Sequence, residues 1–135
     1  MATVEDLMTP HPVTTTPDTS LARVMDLFDR RRFRHLPVVD RDGVLVGVVS
    51  QRDVIKTAYG HSAAGDAIQM TGRVGDVMSR ELTTASPEAA STAVARHMLQ
   101  EKHGCLPVVD AEGRVVGIIT EADFVRAWIR TETLG

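Results

Sequence analysis

A chain of 135 residues, 43% hydrophobic and 24% charged, is long enough to bury a core and needs no disulfide or metal to hold it together. A formal net charge of −3 excludes a broad polyanion-binding surface, so any affinity for anions has to come from a local pocket. Cys105 is the single cysteine, no leader-like pattern opens the sequence, and apolar runs stay far below the ~20 residues of a membrane span, so the expectation is a cytoplasmic protein without disulfides or membrane segments.

In chain order, the first regular element is predicted at residues 13–16, where Val13 and three threonines read as a short strand stopped by Pro17. Asp18 or Ser20 can cap the helix that follows, whose Leu21, Val24, Met25 and Phe28 recur at helical spacing and form one apolar stripe. Leu36, Pro37, Val38 and Val39 form a second strand. A turn around Gly43 leads into a third through Leu45, Val46, Gly47, Val48 and Val49. A closing helix opens at Ser50 and carries Val54, Ile55, Ala58 and Tyr59 on one face. The unit is β-α-β-β-α.

The unit then recurs at an offset of 70 residues without a gap. Leu36-Pro37-Val38-Val39-Asp40 returns as Leu106-Pro107-Val108-Val109-Asp110, Gly43 as Gly113, and Asp53 as Asp123. Phe124, Val125, Trp128 and Ile129 take the positions of the first closing-helix face. The expected organisation is one repeat at residues 1–60, a linker rich in small residues at 61–72, and a second repeat at 73–131. One such unit buries too little surface to stand alone, so the fold class is α/β, with the repeats expected to pack sheet to sheet about a pseudo-twofold axis.

The sharpest chemical signal is Gly47-Val48-Val49-Ser50-Gln51-Arg52-Asp53, echoed by Gly117-Ile118-Ile119-Thr120-Glu121-Ala122-Asp123. A strand running straight into a helix N-terminus offers unpaired N–H groups and the positive end of the helix dipole, which together suit a phosphate. The hydroxyl can bond that phosphate, and an aspartate three residues on presents two acceptor oxygens to a ribose diol. The same Ser/Thr-x-x-Asp spacing also describes a capping box, in which both side chains only satisfy the helix's own N–H groups. Spacing leaves both readings open.

The Leu-Pro-Val-Val-Asp strand, the turn glycine and the Ser/Thr-x-x-Asp ending, preceded by Asp6-Leu7-Met8-Thr9, resemble the CBS domain family over approximately residues 3–58 and 73–130. The tandem arrangement is similar to that family's paired Bateman module. The resemblance implies a regulatory module that binds AMP, ADP, ATP or S-adenosylmethionine in clefts between its repeats, needs no other cofactor, and signals to a protein partner. It also implies a disc-like homodimer. Carried onto this chain, the favoured site comprises Ile118, Thr120 and Asp123 with Pro12, Val13, Phe33, Arg34 and His35. A weaker one comprises Val48, Ser50 and Asp53 with Leu82, Thr83, His103 and Gly104, because Gly104-Cys105 stands where the first repeat has the basic pair Arg34-His35. The family also contains pairs with no established ligand, so a ligand-free interaction or stress-associated protein, its motifs serving only as caps, is the alternative.

Other features are weaker. Arg30, Arg31, Arg32 and Arg34 around Phe33 have the composition of a nucleic-acid contact, but basic residues closing a helix ordinarily form a solvated face. His97, His103 and Cys105 fit no zinc spacing, and His97 is expected on the packed face of its helix. No nucleophile, base and orienting group stand together, so the chain is not expected to be an enzyme.

Overall fold

The computed structural model describes residues 2–60 and 71–134; residues 61–70 of the expected linker and the side chains of Ala58, Tyr59, Glu132, Thr133 and Leu134 lie outside the described residues. In order come α1 (Val4–Leu7), β1 (Thr9–Pro10), α2 (Leu21–Arg30), β2 (His35–Val39), β3 (Leu45–Ser50) and α3 (Gln51–Gly60). They are followed by α4 (Val74–Val77), α5 (Ser91–Glu101), β4 (Cys105–Val109), β5 (Val115–Thr120) and α6 (Glu121–Leu134). This mixed α/β chain gathers into two compact units whose limits differ from those of the sequence repeats. The β2–β3 unit spans Val13–Leu82 and includes α4, which belongs by sequence to the second repeat. The β4–β5 unit joins Met1–Pro12 to Thr83–Gly135 and so takes α1 and β1 from the first.

Local chemistry accounts for the elements of the β2–β3 unit. Of the two candidate caps for α2, Ser20 is the one used: its hydroxyl accepts from the Arg23 N–H at 3.2 Å. Leu21, Val24 and Phe28 then fall on the buried face. The antiparallel β2–β3 hairpin turns where the Asp40 carboxylate accepts from the N–H groups of Asp42 and Val44, at 2.9 and 3.0 Å. Gly43 takes φ +82° there, a conformation that favours glycine. Asp110 and Gly113 repeat this turn between β4 and β5.

The strand expected at residues 13–16 shrinks to one parallel bridge, Thr15 to Val38. The Thr15 N–H donates to the Pro37 carbonyl at 3.0 Å and the Val39 N–H donates to the Thr15 carbonyl at 2.8 Å. Pro12 and Pro17 flank this point and neither has an N–H to extend a ladder. Ala85 makes the equivalent single bridge to Val108.

What completes each sheet is a Met-Thr or Met-Ser step. β1 pairs antiparallel with β5, Thr9 opposite Ile118 and Pro10 opposite Gly117, giving the order β1-β5-β4. In the other unit Ser79 exchanges two backbone hydrogen bonds with Val48, at 3.0 and 2.8 Å. The methionine just before each step lies over the strand glycine: a Cβ on Gly47 would stand 2.6 Å from Met78 Sδ and 3.0 Å from the Ser79 carbonyl oxygen, and one on Gly117 would meet the Met8 thioether. Glycine at these positions is thus a space requirement. Gly47→Ala is expected to cost about 1–3 kcal/mol through overpacking, seen as a Tm several degrees lower in thermal unfolding; an unchanged Tm would show that Met78 yields freely.

Candidate functional site

Both strand-to-helix junctions form as the motif predicts, but they differ in their hydrogen bonding. In the β2–β3 unit, β3 ends at Ser50 and α3 begins at Gln51, whose N–H donates to the Arg34 carbonyl at 2.9 Å. The Ser50 hydroxyl accepts from the Asp53 N–H at 3.0 Å, which is half of a capping box. No hydrogen bond among the described residues reaches the half-buried Asp53 carboxylate. Beside the junction a cleft of about 420 Å³ is lined by Arg34, His35, Ser50, Gln51, Arg52 and Ile55. Antiparallel pairing creates this neighbourhood, since His35 stands directly opposite Ser50.

In the β4–β5 unit the box is complete and more is added. The Thr120 N–H and hydroxyl donate to Asp123 Oδ2 at 2.9 and 3.1 Å, while the Asp123 N–H donates to the Thr120 hydroxyl at 3.3 Å. Asp123 Oδ1 accepts from Arg126 at 2.5 Å and from the Thr9 hydroxyl at 3.3 Å. Four donors occupy a carboxylate with about four acceptor positions, and Asp123 is only 4% exposed. Hydrogen bonds to an ionised group contribute about 1.5–3 kcal/mol each, less for the guanidinium because Arg126 is mostly exposed.

The electrostatics diverge in the same way. Arg34, His35 and Arg52 of the first junction correspond to Gly104, Cys105 and Ala122 of the second. Burial, ahead of the opposing pull of Asp53 and the smaller push of Arg34, holds His35 below its ordinary value of 6.5. Burial pushes the Cys105 thiol up to about 11, so a reactive thiolate is not what this position provides.

Of the residues expected at the favoured site, Ile118, Thr120, Asp123 and Pro12 lie in the β4–β5 unit and Val13, Phe33, Arg34 and His35 in the β2–β3 unit. Phe33 packs edge-on against Phe28 with ring centroids 6.0 Å apart, and with Val13 it lines the core. Of the other set, Val48, Ser50, Asp53 and Leu82 belong to the β2–β3 unit and Thr83, His103 and Gly104 to the β4–β5 unit. Gly104 is exposed with open space where a Cβ would stand. The expectation for His97 is corrected: it lies on the exposed face of α5 and stacks on His103 at 5.8 Å, because Val94 and Met98 take the buried positions of that helix. Among the described residues no group of three or more His, Cys, Asp or Glu side chains is arranged to hold a metal ion, and no helix is long and apolar enough to cross a membrane.

Sequence reasoning missed Arg126, Thr9 and Arg52. The Asp123–Arg126 pair was available as an i, i+3 spacing on one helix. Thr9 was not, because only the pairing of β1 with β5 brings it to Asp123.

A duplicated α/β chain with one strand-to-helix junction per repeat defines a tandem module of a known class. The chain belongs to the CBS domain family, whose profile matches residues 4–60 and 74–130. Among solved structures it is similar to CBSX2 of Arabidopsis thaliana in complex with AMP, at 31% identity and a TM-score of 0.85, with 98% of this chain and 99% of that one covered. It is also similar to the CBS domain pair of protein MJ0100 in complex with 5′-methylthioadenosine and S-adenosyl-L-methionine, at 27% identity and a TM-score of 0.82, covering 97% and 98%. Inosine-5′-monophosphate dehydrogenase of Mycobacterium tuberculosis is 38% identical over 120 residues, but that stretch is 88% of this chain and only 21% of the dehydrogenase.

The His35 environment predicts a pH dependence. With its folded-state value lowered, the unfolded chain binds more protons through this range, so the full stability present above pH 6.5 declines as pH falls through 6.5 toward the lowered value. Wild-type Tm is expected to drop between about pH 7 and pH 5, and His35→Gln to lose less across that window; parallel profiles would remove His35 as the cause.

Proposed function

We propose that this chain is a regulatory module that binds an adenosine-containing ligand, AMP or a related nucleotide or S-adenosylmethionine, and passes its occupancy to a protein partner in the cytoplasm. The observation that carries this reading is the Asp53 junction. A carboxylate without a hydrogen bond from the described residues stands at the first turn of α3, next to a cleft lined by Arg34, His35, Ser50 and Arg52. Arginine fits phosphate, a helix N-terminus adds to it, and a free carboxylate fits a ribose diol. Two similar structures hold AMP, or 5′-methylthioadenosine and S-adenosylmethionine, which is the same ligand chemistry. The module supplies control and leaves chemistry to other domains or chains.

The ligand-free alternative draws its support from the other junction, where Asp123 behaves as a complete helix cap. The two readings separate in a thermal-unfolding series against AMP, S-adenosylmethionine and GMP. A ligand at about 100 times its Kd adds about 2.7 kcal/mol, or several degrees of Tm. A rise with the adenosine compounds and none with GMP is expected; no rise with any of them would leave the interaction reading.

The proposed assembly is a homodimer formed through α6. Phe124 reaches the core of the β4–β5 unit, but Val125, Trp128 and Ile129 are exposed, Trp128 at 64%. Only Phe124 of the expected apolar face closes that core, and the exposed apolar side chains of the other three mark a contact surface. Sedimentation velocity is expected to give a dimer for the wild type and a monomer for Trp128→Glu; an unchanged dimer would place the contact elsewhere.

A further inference from the structure

We infer that the two junctions have divided the work of the duplicated motif: the Asp53 junction takes the anionic adenosine ligand, and the Asp123 junction is closed by an internal lock of Arg126 and Thr9. The inference rests on the proposed ligand reading and reverses the ranking that the sequence alone gives, in which the Asp123 site is favoured.

The same carboxylate of the duplicated motif stands in two environments. A ribose diol must donate to aspartate oxygens, so its access depends on acceptor positions that are free. Asp53 has them. At Asp123 two donors come from Thr120, one from Thr9 and one from Arg126, and a diol would have to displace at least one of them. Among the described residues Ser50, the counterpart of Thr120, gives no hydrogen bond to the Asp53 carboxylate, and the two donors outside the capping box also differ between repeats. Arg126 corresponds to Lys56 and Thr9 to Ser79. Neither Lys56 nor the Ser79 hydroxyl makes a hydrogen bond to Asp53 among the described residues, and the Ser79 contact is confined to the backbone of Val48.

The charges around the junctions point the same way. The cleft of the β2–β3 unit gathers Arg34, Arg52 and the imidazole of His35 beside the N-terminus of α3. Their counterparts are Gly104, Ala122 and Cys105, and Gln51 is replaced by Glu121. An anionic ligand thus meets positive charge at one junction, and at the other a carboxylate already paired with Arg126 of its own helix. Arg126 is 61% exposed while Asp123 is buried, so the ion pair joins a solvent-facing guanidinium to a buried acid.

The inference also accounts for Arg126 at this position: an arginine three residues after the aspartate can reach its carboxylate from the next turn. Lysine at 56 offers a similar charge but lacks the planar fork of donors that lets arginine hold an acid in fixed geometry.

The test transplants the lock. Isothermal titration of the wild type with AMP is expected to give one site per chain. Lys56→Arg combined with Ser79→Thr reproduces the Arg126 and Thr9 pair next to Asp53 without changing net charge, and is expected to weaken AMP by about tenfold or more, the cost of displacing a charge-assisted hydrogen bond. Arg126→Lys is expected to keep the AMP site and to lower the Tm of the free protein by a few degrees, since it loosens the lock. Two equivalent AMP sites in the wild type, undiminished affinity after the transplant, or loss of AMP binding in Arg126→Lys would each overturn the inference. If the wild type binds neither AMP nor adenosine, the ligand reading itself falls. The lock is then judged on free-protein stability alone, where equal Tm values for Arg126→Lys and the wild type would overturn it as well.

Discussion

The constraint on which the rest depends is the seating of a methionine over a bare strand glycine. Met8 covers Gly117 and Met78 covers Gly47, and in each case the next residue bonds the backbone of that strand. A Cβ at either glycine would force the methionine side chain to shift, and at Gly47 it would also crowd the Ser79 carbonyl. Because that segment belongs by sequence to the other repeat, each compact unit is built from both copies. Duplication here has not produced two independent beads. It has produced two units that each need a piece of the other copy to complete a core, Val4 in one and Val74 in the other, both fully buried.

That exchange also sets up the chemistry. Once Met8 is fixed, Thr9 has to pair with Ile118, and its hydroxyl arrives at the first turn of α6 within reach of Asp123. The same seating in the β2–β3 unit brings Ser79 to Val48, but its hydroxyl gives nothing to Asp53. Two copies of one motif therefore end in different states, one acid saturated and one available. A capping box and a ribose-binding pair use the same two residue types at the same spacing. What distinguishes them is the set of surrounding donors.

Much of the fold could be read from the residues. The helical spacing of Leu21, Val24 and Phe28, the Asp40 to Gly43 turn and the direct passage from β3 into α3 all follow from local preferences, and they formed where those preferences put them. The strand expected at residues 13–16 forms only the Thr15–Val38 bridge, because β-branched composition favours an extended chain without supplying a partner strand, and the Thr16 N–H turns to the Thr19 hydroxyl instead. His97 was misplaced by one helical face, since Val94 and Met98 compete for the same buried side. At the site, the Ser50 and Thr120 junctions were legible, whereas the difference between them was not. It depends on Thr9, 114 positions from Asp123 in sequence, on a side-chain contact by Arg126 that helical spacing permits but does not require, and on a capping box complete at Thr120 but half-formed at Ser50.

A crystal structure of the wild-type protein grown with saturating AMP tests this account most directly. The account predicts density for one nucleotide per chain, its ribose on Asp53 and its phosphate toward Arg34 and Arg52, with Arg126 still on Asp123. A ribose bound to Asp123 with Arg126 swung away would contradict it.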